Sequence, residues 1–221
     1  AAEGEGETEG LVLREQTRGT YAGEEVPFGQ HYDGAPDGRY AGSGFSYLYD
    51  VARATTPAPG WSVTCRLKDT WGTKVGDGDV RVRYTMLSEV DDAAVAHGDP
   101  PRNKPGNPRR LRYTLAHRAR PRSLFVSVVE PYGDRRHLRR VERVDLGLPD
   151  GDLTAAAVRV EAADGRTDAI LSSDDPARVF DLGGGVRAAG RFVTVSMRDG
   201  RLESILALGG LVFVLNPSAG N

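Results

Sequence analysis

Two Asp-Gly pairs, Asp164-Gly165 and Asp199-Gly200, each separate two runs in which apolar and polar residues alternate. Asp-Gly supplies the positive backbone angles of a two-residue hairpin turn, and a period of two puts one face of each flanking strand on a core. Ala155 to Glu161 is thus expected to pair with Arg166 to Leu171, and Arg191 to Met197 with Leu202 to Leu208. Leu211 to Leu215 reads as a last strand. Hairpins of this kind commit the second half of the chain to antiparallel sheet.

The first half carries the same pattern with looser punctuation. Leu11 to Leu13 reads as a short strand after the acidic, glycine-rich Ala1 to Gly10, which has the composition of a disordered arm or linker, as at a fragment cut from something longer. Residues 1–10 are therefore expected to be an arm and 11–221 a β-sandwich domain. Tyr21 to Arg39 is rich in glycine, proline and aspartate and reads as a long loop. Gly44 to Ala54 and Trp61 to Leu67 flank Pro57-Ala58-Pro59-Gly60 and are expected to form a long hairpin. Val80 to Leu87 alternates. Asp91 to Arg110, polar and broken by Pro100, Pro101, Pro105 and Pro108, reads as a surface excursion.

Leu111, Tyr113 and Leu115 alternate with Arg112, Thr114 and Ala116, and the apolar run Leu124 to Val129 suits a strand covered on both faces. Pro121 must lie in the turn between them, since proline donates no backbone hydrogen bond. The stretch from Leu111 to Tyr132 is expected to be a hairpin in the middle of the sheet, followed by an arginine-rich strand from Leu138 to Leu146. With roughly a dozen strands, frequent turns and no sustained helical period, the expected fold is all-β, an antiparallel multi-stranded β-sandwich. Apolar residues on both faces in the second half favour stacked sheets.

Composition narrows the function classes. Net charge is −2 with 27% charged residues, so no global field recruits nucleic acid or an anionic membrane. The single cysteine, Cys65, excludes an internal disulfide and multi-cysteine metal sites. No apolar run approaches the roughly 20 residues that span a bilayer, and no secretory signal opens the chain. A soluble chain is expected, with neither nucleic acid nor membrane as partner.

Four histidines are present, and none stands in a metal-ligand spacing. His31 neighbours Tyr32 in a glycine-rich loop, where a histidine and a tyrosine can abstract and donate a proton, although a plain loop role fits as well. His117 reads as a polar strand end, and His97 and His137 as residues of charged surface. Arg118, Arg120 and Arg122, with Arg109, Arg110 and Arg112, cluster at the ends of the hairpin expected from Leu111 to Tyr132. Guanidinium groups pair bidentately with carboxylate or sulfate and can hold an acidic sugar chain. A solvated face balanced by Glu130, Asp134, Glu142 and Asp145 is the other reading. Trp71 and Trp61 can stack on sugar rings, while Trp61 at a strand head also suits a core. Glu130, before Pro131, suits a structural hydrogen-bonding role.

Phe45-Ser46-Tyr47-Leu48-Tyr49-Asp50-Val51, Trp61-Ser62-Val63-Thr64, Leu111-Arg112-Tyr113 and the run from Ser123 to Tyr132 (SLFVSVVEPY) stand in an order that resembles the C-terminal β-sheet region of heparinase II/III-like polysaccharide lyases. The Gly165-Arg166-Thr167-Asp168 turn and Leu206-Ala207-Leu208-Gly209-Gly210 fit the same pattern, so the likeness covers roughly residues 25 to 215. It implies a supersandwich-like stack of antiparallel sheets, joined in those enzymes to a helical toroid. It implies β-elimination on uronic-acid-containing, anionic polysaccharide of glycosaminoglycan or alginate type, and a secreted or periplasmic bacterial protein. The toroid, in the same protein or a companion chain, is then the expected partner, and the β-portion alone is expected to be inactive; the alternative is a stand-alone carbohydrate-binding module or a structural β-sandwich without catalysis. The family's zinc site, where present, finds no matching cluster in this sequence, so no metal or cofactor is expected. His31 and Tyr32 are the catalytic candidates, and Arg118, Arg120, Arg122 and Trp71 the substrate-binding ones.

Overall fold

The computed structural model of the chain describes residues 6–15, 48–67, 80–98 and 110–214. These residues form sixteen strands in four antiparallel sheets and no helix, an all-β, sandwich-like architecture. No helix among them is long and apolar enough to cross a membrane. They fall into two compact units, one within Ala1–Thr85 and Glu89–Pro121, the other within Met86–Ser88 and Arg122–Asn221.

In the first unit β1 (Glu7–Glu9), β4 (Ser62–Arg66) and β5 (Arg81–Met86) lie side by side in that order. The acidic start of the chain thus contributes a strand, and Glu7 and Glu9 form ion pairs with Arg81 and Arg83 of β5. Trp61 is buried next to Tyr84, with ring centroids 5.8 Å apart, as its place at a strand head allowed. A second sheet takes the order β2 (Arg14–Glu15), β3 (Tyr49–Thr55), β6 (Asp92–Gly98), β7 (Leu111–His117). Leu48, Val51, Ala94 and Ala96 form its core, with Tyr113 and Leu115 packed against them.

Two sequence expectations change here. β3 and β4 do not pair as a hairpin, because β3 pairs with β2 and β6 while β4 pairs with β1 and β5. The Pro57–Gly60 turn reverses the chain and hands it to another sheet. Asp91 to Gly98 is no surface excursion: β6 is an inner strand with Ala93, Ala94, Val95 and Ala96 all buried. Alanine adds little apolar signal to a sequence, yet its small side chain lets neighbouring layers approach a strand on both faces.

In the second unit β9 (Leu138–Val144), β10 (Ala155–Ala162), β11 (Arg166–Ser173), β14 (Phe192–Arg198) and β15 (Arg201–Leu208) form one sheet in the order β15-β14-β11-β10-β9. Both Asp-Gly hairpins are present, β10 with β11 and β14 with β15. β12 (Phe180–Asp181), β13 (Val186–Ala189) and β16 (Leu211–Val214) form a smaller sheet, order β12-β13-β16. Ala155, Ala157, Ala169, Leu171, Val193 and Val195 of the larger sheet share one core with Phe180, Leu182, Val186 and Ala188. Full burial of a leucine such as Leu171 contributes roughly 1.5 to 3 kcal/mol. At the sheet edge, β15 leaves Ile205, Leu206 and Leu208 exposed.

β8 (Ser127–Tyr132) belongs to this unit, whereas β7 belongs to the first. Leu111 to Tyr132 is therefore not one hairpin, and residues 118–126 form no strand between them. Val126 is buried, but Phe125 and Val129 are exposed, so the apolar run is not covered on both faces. Ser88, fully buried, fixes this stretch by donating to the Leu124 carbonyl (3.1 Å) and accepting from the Val126 amide (2.8 Å). Glu130 is buried and structural: it accepts hydrogen bonds from the amides of His137 (2.7 Å) and Leu138 (2.8 Å) and pairs with Arg136 (3.0 Å).

The two sheets of the second unit are joined at a corner. β13 runs into β14 through Gly190, and β15 into β16 through Gly209-Gly210, while β14 pairs with β15 and β13 with β16. A strand pair thus bends as one from sheet to sheet. A Cβ on Gly210 would stand 1.8 Å from the Ala189 carbonyl oxygen and 2.4 Å from the Gly190 Cα. Gly210→Ala is expected to cost about 3 kcal/mol or more, read as a lower urea midpoint. Gly133→Ala, whose Cβ meets nothing within 4 Å, is expected to stay within about 0.5 kcal/mol of the parent.

Candidate functional site

The register of the β2-β3-β6-β7 sheet places three chemically active side chains in one row at its end. Tyr49 of β3 stands opposite His97 of β6, and His97 opposite Arg112 of β7. The ladder is irregular between Tyr49 and Ala52, and Asp50 takes a positive φ of 49° there. An aspartate tolerates that conformation better than most residues, and a local irregularity of this kind re-aims a side chain. Asp50 Oδ2 lies 3.4 Å from His97 Nδ1 and accepts a hydrogen bond from Arg110 Nη2. The Arg110 guanidinium sits 5.3 Å from the centroid of the Tyr49 ring, and the Tyr49 and His97 rings are 6.2 Å apart. A Cβ on Gly98, next in chain, would lie 3.0 Å from the side chains of both Leu48 and Tyr113, a close contact with the core. The core therefore fixes the strand end that presents His97.

The electrostatics favour neutral imidazole. Burial lowers the His97 pKa below its ordinary value, and Arg110 and Arg112 push the same way against the opposing Asp50. The ring is half-buried, with Nδ1 at the long limit of hydrogen-bond reach from Asp50 and no well-formed hydrogen bond among the described residues. At neutral pH the cluster presents an uncharged base, a phenol, and two guanidinium groups against one carboxylate. It can accept a proton, donate one, or hold an anion beside an aromatic face. Burial raises the Cys65 thiol pKa more than Arg112 lowers it, which favours the protonated thiol. Among the described residues no group of histidine, cysteine, aspartate or glutamate is placed to hold a metal ion.

The sequence candidates are dispersed differently. His31, Tyr32 and Trp71 lie outside the described residues. Arg118 and Arg120 follow β7 in the first unit, and Arg122 belongs to the second. The segment carrying Arg118 and Arg120 is tied to the start of β6 by the Ala119 amide, which donates to Asp91 Oδ2 (2.6 Å), and by His117 Nδ1 against Asp92 Oδ2 (3.0 Å). Arg112 and Arg118 stand six positions apart in sequence and mark the two ends of β7, about 20 Å at the usual strand rise. Sequence reasoning passed over Tyr49, Asp50 and His97 as a group, and only the register of β6 between β3 and β7 brings them together.

Compared with models of protein families, with curated proteins and with solved structures, the chain matches none.

The lowered pKa of His97 ties the stability of the fold to pH. The unfolded chain binds a proton at His97 more readily than the folded one, so this group's contribution to stability is complete above the ordinary histidine pKa of about 6.5. It declines as pH falls from there to the folded pKa. Arg110→Met removes a cationic neighbour and releases Asp50, and is expected to raise the His97 pKa. Asp50→Asn is expected to lower it further. Both shifts are measurable by NMR titration of the imidazole carbon-bound protons, and a shift of the opposite sign in either variant would contradict the charge arrangement.

Proposed function

We propose that this chain is the β-sheet portion of a heparinase II/III-like polysaccharide lyase, supporting and lining a cleft for an anionic, uronic-acid-containing polysaccharide. The elimination itself is completed with a helical toroid, in the same protein or a companion chain, and the protein works outside the cytoplasm. The observation that carries this reading is the grouping of Tyr49, His97 and Arg110 at one sheet end. An aromatic ring beside a guanidinium and a neutral imidazole suits a sugar ring that bears a carboxylate. The strand signature of the sequence supplies the family side of the reading.

A second reading, a stand-alone carbohydrate-binding module, draws on the arginines at both ends of β7. Arg110 and Arg112 at one end and Arg118 and Arg120 at the other suit a chain of anionic groups better than a single one. Both readings call for binding to acidic polymer, and they part on catalysis.

Calorimetric titration with hyaluronan, alginate and heparin, with dextran as the neutral control, tests the binding. At least one acidic polymer is expected to bind, more weakly as salt rises, and dextran is not. Arg110→Ala and Arg118→Ala are each expected to weaken binding by about tenfold. Equal binding of dextran, or no binding of any acidic polymer, would sink both readings. Release of conjugated, ultraviolet-absorbing uronate is expected only when a toroid is supplied. Release by this chain alone would overturn the supporting role, and none with a toroid supplied would leave the binding module.

A further inference from the structure

The second unit holds a half-open cavity of about 150 Å³ on the inward face of its five-stranded sheet, beyond the cover of the smaller sheet. Arg159 of β10 lies in its wall, with Thr167, Ala169, Val195 and Met197 of neighbouring strands. The two Asp-Gly hairpin turns close one side through Gly165, Asp199 and Gly200, and Gly183 and Gly184, before β13, close another. A Cβ on Gly184 would lie 2.6 Å from Arg159 Nη1. Glycine at 184, with a positive φ of 62°, therefore leaves the guanidinium the space it occupies.

The pairing of Arg159 is incomplete. Its side chain is 28% exposed, and its ion pair with Glu161 stands at 4.0 Å, the outer limit of such a contact. A guanidinium partly withdrawn from water in this way is favoured by a closer carboxylate or by several hydrogen bonds. The remaining walls have two characters. Ala169, Val186, Val195 and Met197 are apolar, while Thr167 and Asp199 are polar.

We infer that this cavity binds a small carboxylate that also carries a hydrogen-bond donor, with the carboxylate on Arg159 and Thr167 and the donor directed to Asp199. Size sets the ligand. A cavity of this volume holds about six heavy atoms, as an apolar one of about 150 Å³ holds benzene, and short hydroxy or amino acids have that count. A fork of parallel N–H groups fits a carboxylate, and the apolar walls take the short carbon chain. The inference stands apart from the polysaccharide reading, because it uses other residues in the other unit.

The test is a titration of the whole chain followed by amide NMR shifts of Thr167 and Gly184, with lactate, alanine, propionate and ethanolamine as probes. Lactate or alanine is expected to give a saturable shift, propionate a weaker one, and ethanolamine none. Arg159→Met is expected to weaken binding about ten- to a hundredfold, Arg159→Lys less, and Thr167→Val by several fold, with thermal unfolding showing each variant folded. If Arg159→Met fails to fold, the Arg159→Lys and Thr167→Val titrations decide. No saturable shift with lactate or alanine, or unchanged curves in the folded variants, would overturn the site. Propionate binding as tightly as both would overturn the role given to Asp199.

Discussion

Where a strand pair turns from one sheet into the sheet facing it, backbone meets backbone with no space for a side chain. The second unit is arranged around that constraint. At the corner the Ala189 carbonyl and the Gly190 Cα occupy the position a Cβ on Gly210 would need. Because the corner holds, β16 lies on β13, and the short sheet that includes Phe180 reaches the larger one. The inward rows are correspondingly small, with Ala155, Ala157, Ala169 and Ala188 between the bulkier Leu171, Leu182, Val193 and Val195. Tight packing of this kind transmits a displacement instead of absorbing it. The turn of Gly183 and Gly184 leads directly into β13, so the corner also sets the distance between that turn and Arg159.

The first unit meets the same need for close approach with alanine, and the consequence is chemical. β6 is the inner strand between β3 and β7, and its small side chains from Ala93 to Ala96 are buried on both faces. At its end the alanines stop and His97 begins, flanked in register by Tyr49 and Arg112. A strand end is where a half-buried polar group is least costly, since water reaches one side while the sheet fixes the other. The ion pair of Arg110 with Asp50 then holds negative charge close to an imidazole that burial and the guanidinium groups keep neutral.

Local signals in the sequence were legible and non-local ones were not, for physical reasons. An Asp-Gly turn names its own partner strands, so β10 with β11 and β14 with β15 could be read directly. Pro57 to Gly60 announces a reversal without saying which sheet the chain enters next, so the pairing of β3 with β6 was hidden. β6 was hidden because DAAVAHG has neither β-branched density nor strong alternation, and its burial is a tertiary outcome. With β6 went His97, which its charged neighbours made look like surface. The positive φ of Asp50 has no sequence signature at all. Alternation in Leu111 to Leu115 did identify a core-facing strand, whereas the apolar composition of Leu124 to Val129 misled, since Phe125 and Val129 face water. Glu130 was legible as structural because a carboxylate at the end of a strand, before proline, has amides close by to accept from.

The two arginine sites differ in what a ligand must do to occupy them. Arg110 already has Asp50, so an incoming carboxylate shares or displaces an existing pair, and the net gain at an exposed site of that kind is small. One such contact does not hold a saccharide. Arginines repeated at the far end of β7, about 20 Å away, turn weak contacts into a usable affinity only for a ligand that reaches both ends at once, because the second contact then forms at high effective concentration. Arg159 is the opposite case, partly buried and facing Glu161 across 4.0 Å. Part of its desolvation precedes a ligand's arrival, so a single well-placed carboxylate gains more there than at the strand end. On the readings proposed above, the exposed arginines fit a polymer and the half-open cavity a small acid, and the difference comes from how each arginine is paired.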